Sequence, residues 1–138
     1  MGRFRFLWNA FVIKLSTYFP PSWKNPLYRF CLGMKIGKNV AIGAGAEIDA
    51  VRPDLITLED NVIIGMNAAI MTHEFVQNKV TYGEVKIEEG ACIGAYSILR
   101  CGVTVGHNSI VGIGSYAHED VPPREVWAGR PAKKLSHY

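Results

Sequence analysis

Histidine is the side chain whose ordinary pKa, about 6.5, lets it take up and return a proton near neutral pH. This chain carries His73 in the segment Thr72-His73-Glu74, with His107 and His118 farther along. A second group is cationic: Arg130, Lys133 and Lys134 lie close together near the C-terminal end. Such a stretch suits a polyanion, and it suits plain solvation as well. Cys31, Cys92 and Cys101 form an odd set without CxxC spacing. That argues against a disulfide scaffold and against a cysteine zinc site, and the three read as free thiols in a reducing cytoplasm.

These residues need a frame to position them. A chain of 138 residues predicts one domain with its own core. Net charge is only +3 and charged residues make up 20%, which excludes a basic nucleic-acid arm and a disordered acidic tail. No nucleic-acid-binding motif accompanies the mild positive charge. Isoleucine and valine total 25 against eight leucines, alongside 14 glycines. β-Branched dominance with that much glycine predicts many short strands joined by tight turns and excludes an ordinary helical bundle.

The first nineteen residues differ. Arg3 and Arg5 precede an apolar run over residues 6–13, but no small-residue cleavage site follows. Lys14 interrupts the run and Pro20-Pro21 ends it, well short of the ~20 apolar residues a bilayer span needs. Residues 3–19 read as a short helix, apolar on most of its surface. It must bury itself against the protein, against an oligomer partner, or on a membrane surface as a peripheral contact.

From Ile36 onward an aliphatic residue recurs every sixth position. The lead residues are Ile36, Ile42 and Ile48, then Leu58, Ile64 and Ile70, then Ile87, Ile93, Leu99, Val105 and Val111, with Ala117 last. One residue after the lead glycine is frequent, as at Gly37, Gly43, Gly65, Gly94, Gly106 and Gly112. Four residues after it stands a small or β-branched residue, such as Val40, Ala46, Val62, Ala68, Ala91, Ser97 and Ser109. A six-residue unit is a short strand plus a sharp turn, and three such units close one triangular coil. The lead points inward, the small residue fits beside it, and glycine or asparagine tolerates the turn dihedrals. Twelve hexads give about four stacked coils, a prism roughly 19 Å tall at strand spacing.

The repeat breaks twice. Ten residues separate Ile48 from Leu58, the extra ones lying around residues 51–55, and seventeen separate Ile70 from Ile87. The second excess falls in residues 72–84, a polar stretch with Gln77, Asn78, Lys79 and Gly83 that reads as a loop thrown out of the prism. Breaks in a regular scaffold are where function concentrates. Three regions follow: an apolar helical segment (1–35), the hexapeptide repeat with its loop (36–121), and a C-terminal tail (122–138).

Residues 58–135 resemble a hexapeptide-repeat acyltransferase of the galactoside, maltose and xenobiotic acetyltransferase branch. The segments that carry the resemblance are Leu58-Glu59-Asp60-Asn61-Val62-Ile63-Ile64-Gly65, Ile70-Met71-Thr72-His73-Glu74, Val103-Thr104-Val105-Gly106-His107-Asn108-Ser109 and Glu119-Asp120-Val121-Pro122-Pro123, closed by Trp127-Ala128-Gly129-Arg130-Pro131-Ala132-Lys133. The resemblance implies an all-β fold, a left-handed parallel β-helix of about four triangular coils behind a short N-terminal helical segment. The handedness comes from the resemblance, because crossovers are right-handed in about 98% of other parallel connections.

In such enzymes a histidine in the loop after the early coils is the catalytic base, and His73 occupies that place. An acceptor hydroxyl is barely nucleophilic at neutral pH, so attack on a thioester needs its proton removed as the bond forms. Glu74 could orient the imidazole in the manner of a triad's acid. The resemblance further implies acetyl-CoA as donor, with no metal. Ala95, Ile113 and His118 would neighbour it, and Lys133, helped by Arg130 and Lys134, would lie near its phosphates. Asp49, just before the first break and close to the loop, is the candidate for acceptor contact. Related enzymes often carry an aromatic where Cys92 stands and a hydroxyl where Ala95 stands, so contact at Ala95 would be through backbone only. A homotrimer is implied, each active site shared between two prisms and open to a sugar or sugar-like acceptor.

Two other readings share this fold. A metalloenzyme of the γ-carbonic-anhydrase type needs three converging histidines and an open ligand position. That family carries two of them five residues apart, whereas His107 and His118 are eleven apart. A non-catalytic scaffold subunit would have kept the prism and lost the chemistry, and His73 in the expected loop speaks against it.

Overall fold

In the computed structural model, which describes residues 2–137, each of the twelve lead residues ends a short strand. β1 (Lys35–Ile36), β2 (Ala41–Ile42) and β3 (Glu47–Ile48) form a first tier. β4 (Ile56–Leu58), β5 (Ile63–Ile64) and β6 (Ala69–Ile70) form a second. A hairpin follows, β7 (His73–Val76) with β8 (Lys79–Tyr82). Then come β9 (Val85–Ile87), β10 (Cys92–Ile93) and β11 (Ile98–Leu99), followed by β12 (Thr104–Val105), β13 (Ile110–Val111) and β14 (Tyr116–Ala117). β15 (Glu125–Gly129) and β16 (Ala132–His137) close the chain.

Consecutive strands fall in turn on three sheets. Parallel pairing joins β1, β4, β9 and β12 in the first sheet, β2, β5, β10 and β13 in the second, and β3, β6, β11 and β14 in the third. Lead residues stack on lead residues in register, as Ile48 on Ile70, Ile70 on Leu99 and Leu99 on Ala117. All twelve are buried, and so is the small-residue column from Val40 to Val121. Full burial of each such aliphatic contributes about 1.5–3 kcal/mol. Serines in that column stay satisfied: Ser97 donates to the Gly112 carbonyl and Ser109 to that of Pro122.

The two special backbone positions divide differently from the expectation. Left-handed dihedrals fall three residues after the lead, where Asn39, Asn61, Asn67 and Asn108 hold φ between 55° and 61° and Tyr96 holds 60°. The glycines one residue after the lead answer to stacking instead. A Cβ at Gly65 would sit 2.4 Å from the Ala95 nitrogen of the next tier.

The first tier has no tier beneath it, and an open sheet edge invites unwanted pairing. Helices close it. α1 (Arg3–Ser16) is followed by α2 (Pro21–Leu27), which runs into a π-helical turn, Tyr28–Leu32. Pro20-Pro21 thus ends one helix and opens the next, proline being well tolerated in a first turn. Side chains from these helices meet the otherwise orphaned carbonyls of the edge. Asn25 Nδ2 donates to Val40 at 2.7 Å, Lys24 Nζ to Ile42 at 3.2 Å, and Arg29 to Ile36 and Gly37 at 2.8 and 2.7 Å. At the other end the expected tail is an ordered antiparallel hairpin, β15 and β16, with β15 extending the second sheet beside β13.

Candidate active site

Both breaks in the repeat leave the third sheet and return to the first. Because β3 and β6 are parallel neighbours, the two insertions emerge at the same corner, one above the other. The first contains a 3-10 turn, Pro53–Leu55. The second, expected as a loop over 72–84, is the hairpin β7–β8, pairing His73 with Tyr82 and Val76 with Lys79. Gln77 at its tip has φ 53°, and Gly83 N–H donates to the Thr72 carbonyl at 3.0 Å to close its base. The insertions touch: the Arg52 guanidinium, paired with Asp54, lies 5.9 Å from the Tyr82 ring centroid.

Asp49 follows β3 and His73 opens β7. The Asp49 Oδ2 atom lies 2.5 Å from His73 Nδ1. The same oxygen accepts the backbone N–H groups of Thr72 at 2.8 Å and His73 at 3.2 Å, while Oδ1 accepts that of Val51 at 2.9 Å. The carboxylate is buried and the imidazole half-buried. Burial alone would raise the Asp49 pKa, but the N–H donors of Thr72 and Val51 and the His73 ring together hold it below the ordinary range. Asp49 is therefore an anion at neutral pH, and the facing Nδ1 carries the hydrogen. That leaves Nε2 as the basic nitrogen.

The pair lines a cavity of about 490 Å³ whose other walls are Phe6, Glu47, Ile48, Ala50, Val51 and Met71. Phe6 comes from α1, which is tied to the first insertion by Asn9 Nδ2 donating to the Ala50 carbonyl at 2.9 Å. The cavity wall is thus mostly apolar, with two carboxylates, Glu47 and Asp49, and one imidazole in its lining.

Glu74 is placed elsewhere. Its carboxylate takes Arg100 Nε at 2.7 Å and Nη2 at 3.0 Å, and Cys101 Sγ at 3.6 Å. Successive residues of an extended strand point to opposite faces, so the carboxylate meeting His73 is that of Asp49, not Glu74. Burial, and in second place the Glu74 carboxylate, push the Cys101 thiol up. Burial does the same to Cys92, so neither thiol is activated as a nucleophile.

Residues 33–71 and 84–116 match the family model described as the hexapeptide repeat of succinyl-transferase. The chain belongs to the hexapeptide-repeat acyltransferases. Among its relatives is YvoF of Bacillus subtilis (strain 168), whose name assigns it provisionally as an acetyltransferase; it is 34% identical over 126 residues, covering 91% of this chain and 73% of YvoF. That span reaches well into residues 1–35. Galactoside O-acetyltransferase of Escherichia coli (strain K12) is 30% identical over 121 residues, covering 83% of this chain and 60% of the enzyme. The fold matches a hexapeptide-repeat acetyltransferase of Vibrio cholerae O1 biovar eltor solved with acetyl coenzyme A, at TM-score 0.77 and 23% identity over 94% of this chain and 85% of that one.

Within this hexapeptide-repeat chain the residues expected near a donor divide between two corners. Ala95 and Ile113 occupy successive turns between the second and third sheets, where Gly114 N–H donates to the Ala95 carbonyl at 2.8 Å. Arg130 joins them, its Nε donating to the Gly114 carbonyl at 2.6 Å. His118 instead follows β14 at the corner where His73 lies, against the Tyr116 ring. Lys133 and Lys134 stand on β16, with Lys134 ion-paired to Glu125 at 3.1 Å. His107 lies in a turn between the first and second sheets, and among the described residues no three metal-ligating side chains come together. Lys24, Asn25 and Arg29, which close the prism edge, went unnoticed in the sequence. Their only signal was a run of basic and amide residues with no acid beside them.

Proposed function

We propose that this chain is a left-handed parallel β-helix of about four coils and an acetyl-CoA-dependent O-acetyltransferase. The acceptor is a hydroxyl of a sugar or sugar-like molecule. The observation that carries the reading is the Asp49–His73 pair at the head of a cavity in a hexapeptide-repeat acyltransferase. The galactoside relative supports the acceptor class. The three cysteines, all free, fit a reducing cytoplasm.

His73 Nε2 takes the proton of the acceptor hydroxyl as that oxygen bonds to the thioester carbonyl carbon. A backbone N–H stabilises the developing oxyanion. His73 then returns the proton to the departing thiolate sulfur as the carbon–sulfur bond breaks, leaving acetylated acceptor and free thiol. Asp49 keeps the Nδ1 hydrogen in place and stabilises the transient imidazolium. Such base catalysis contributes typically about 10²–10⁴ in rate.

Ala95, Ile113 and Arg130 lie on a different corner from His73, so a donor held along that column meets the base of a neighbouring prism more readily than its own. This supports a homotrimer with sites between subunits. Arg130 and Lys133 are the cations for the donor's phosphates, and Lys134 contributes while also pairing with Glu125.

The test is thiol release from acetyl-CoA across a panel of sugars and amines, for the wild-type chain and for His73→Ala. Turnover with a sugar hydroxyl that drops at least about a hundredfold in the variant supports the reading. Absence of acetyl-CoA binding and turnover with every acceptor overturns it in favour of a scaffold.

A further inference from the structure

α1 is amphipathic in the inverted sense. Asn9, Val12 and Ser16 face inward and are at most 2% exposed. Asn9 bonds to Ala50 and Ser16 to the Tyr28 hydroxyl at 2.9 Å. Phe4, Leu7, Phe11 and Leu15 recur at the spacing of a single face of α1, and each is between 54% and 85% exposed. A stripe of large apolar side chains turned away from the protein costs free energy in water unless something covers it.

Charge says what covers it. Residues 1–46 carry seven lysines and arginines, of which only Lys24 is buried, and no acid, whereas residues 47–138 carry eight basic and twelve acidic residues. Arg3 and Lys14 stand on α1 among the exposed apolar residues. Trp8, Tyr18 and Trp23, amphipathic rings of the kind that settle at a lipid–water boundary, are exposed on the same helical cap. A second copy of this face would bring cation against cation, while an anionic bilayer accepts both the rings and the charges. No helix among the described residues is long and apolar enough to cross a membrane, so the contact lies along the surface.

We propose that the outer face of α1 docks this protein on an anionic lipid bilayer. Phe6, on the same helix, walls the His73 cavity, so the docked helix and the cavity share a wall. Docking itself does not depend on the acetyl-transfer chemistry.

The full chain is sedimented with vesicles of phosphatidylcholine alone and of phosphatidylcholine mixed with phosphatidylglycerol, at low and high salt, against a vesicle-free control. Two variants accompany it, Phe4→Ser/Leu7→Ser/Phe11→Ser and Arg3→Gln/Lys14→Gln; none of these residues lines the cavity, and unchanged circular dichroism and melting verify the fold. The expected result is wild-type binding to the anionic vesicles that high salt weakens and that each variant lowers at least about tenfold. Wild-type protein that stays in the supernatant overturns the proposal. Variants that bind as well as wild type also overturn it. So does an apolar variant that loses an oligomeric state in sedimentation velocity while vesicle binding is unaltered, because the stripe then belongs to a subunit interface.

Discussion

Asp49 and His73 are 24 residues apart in the chain and 2.5 Å apart in space, and each opens one of the two breaks in the hexapeptide repeat. The parallel pairing of β3 with β6 stacks the breaks, so a gap in periodicity becomes a juxtaposition of carboxylate and imidazole. Asp49→Asn tests what the carboxylate does. Thr72 N–H, His73 N–H and His73 Nδ1–H all point at one oxygen, which must stay an acceptor. The asparagine NH₂ is then forced against Val51 N–H, donor against donor. The expected outcome in steady-state kinetics is a kcat lower by about 10–10³-fold with KM little changed. An unaltered kcat would remove Asp49 from the mechanism.

The same carboxylate makes a statement about acid stability. Its pKa is depressed in the folded chain relative to about 3.9 when unfolded. Its contribution is therefore fully present above that unfolded value and is lost as pH falls through the lower folded one. Thermal melting of wild type and Asp49→Asn from pH 6 downward should show the wild-type advantage shrinking only below about pH 4. An advantage that fades between pH 6 and 5 would point to another group.

Glu74 holds the hairpin to the prism wall through Arg100 rather than acting on His73. This ion pair is largely exposed, and exposed pairs are worth little because water and salt screen them. Glu74→Gln is expected to change kcat by less than about tenfold, with any loss concentrated in KM and mirrored by Arg100→Gln. A loss as deep as that of His73→Ala would make Glu74 a participant in the chemistry.

Periodicity made the strands legible because a stacked prism repeats one environment, and each of the twelve lead positions proved to be a strand end. The corner chemistry was harder to read. His73 could be singled out by its place in the second break, but the sequence pointed to the adjacent Glu74 as its partner and to Asp49 only as an acceptor contact, whereas Asp49 holds the imidazole and Glu74 pairs with Arg100. That choice depends on strand alternation and on two insertions leaving one corner, neither of which a linear pattern carries. The hairpin β7–β8 read as a loop because its Gln-Asn tip and exposed flanks have no buried face to impose a period of two. Residues 21–32 were obscured by Pro20, Pro21 and Pro26, which look like breakers but here start α2 and run within it.

Lys24 shows what the N-terminal cap contributes. Its side chain is buried, and burial holds the ammonium pKa below its ordinary value. Nζ donates to the Thr17 carbonyl at 3.1 Å and to the Ile42 carbonyl at 3.2 Å, joining the helical segment to the edge of β2. Lys24→Met keeps the length of the stem but leaves these carbonyls, and that of Gly43 at 3.5 Å, without that donor, in a place water enters poorly. Orphaned buried acceptors cost about 1–3 kcal/mol, so the free energy of unfolding should fall by that much, read as a lower urea midpoint with an unchanged m-value. The Asp49–His73 corner lies at the far end of the next strand, β3, from this contact, and residual activity per folded molecule should stay near wild type. A midpoint equal to wild type would mean that the carbonyls of the first tier find water without Lys24, and the edge would then be closed by Asn25 and Arg29 alone.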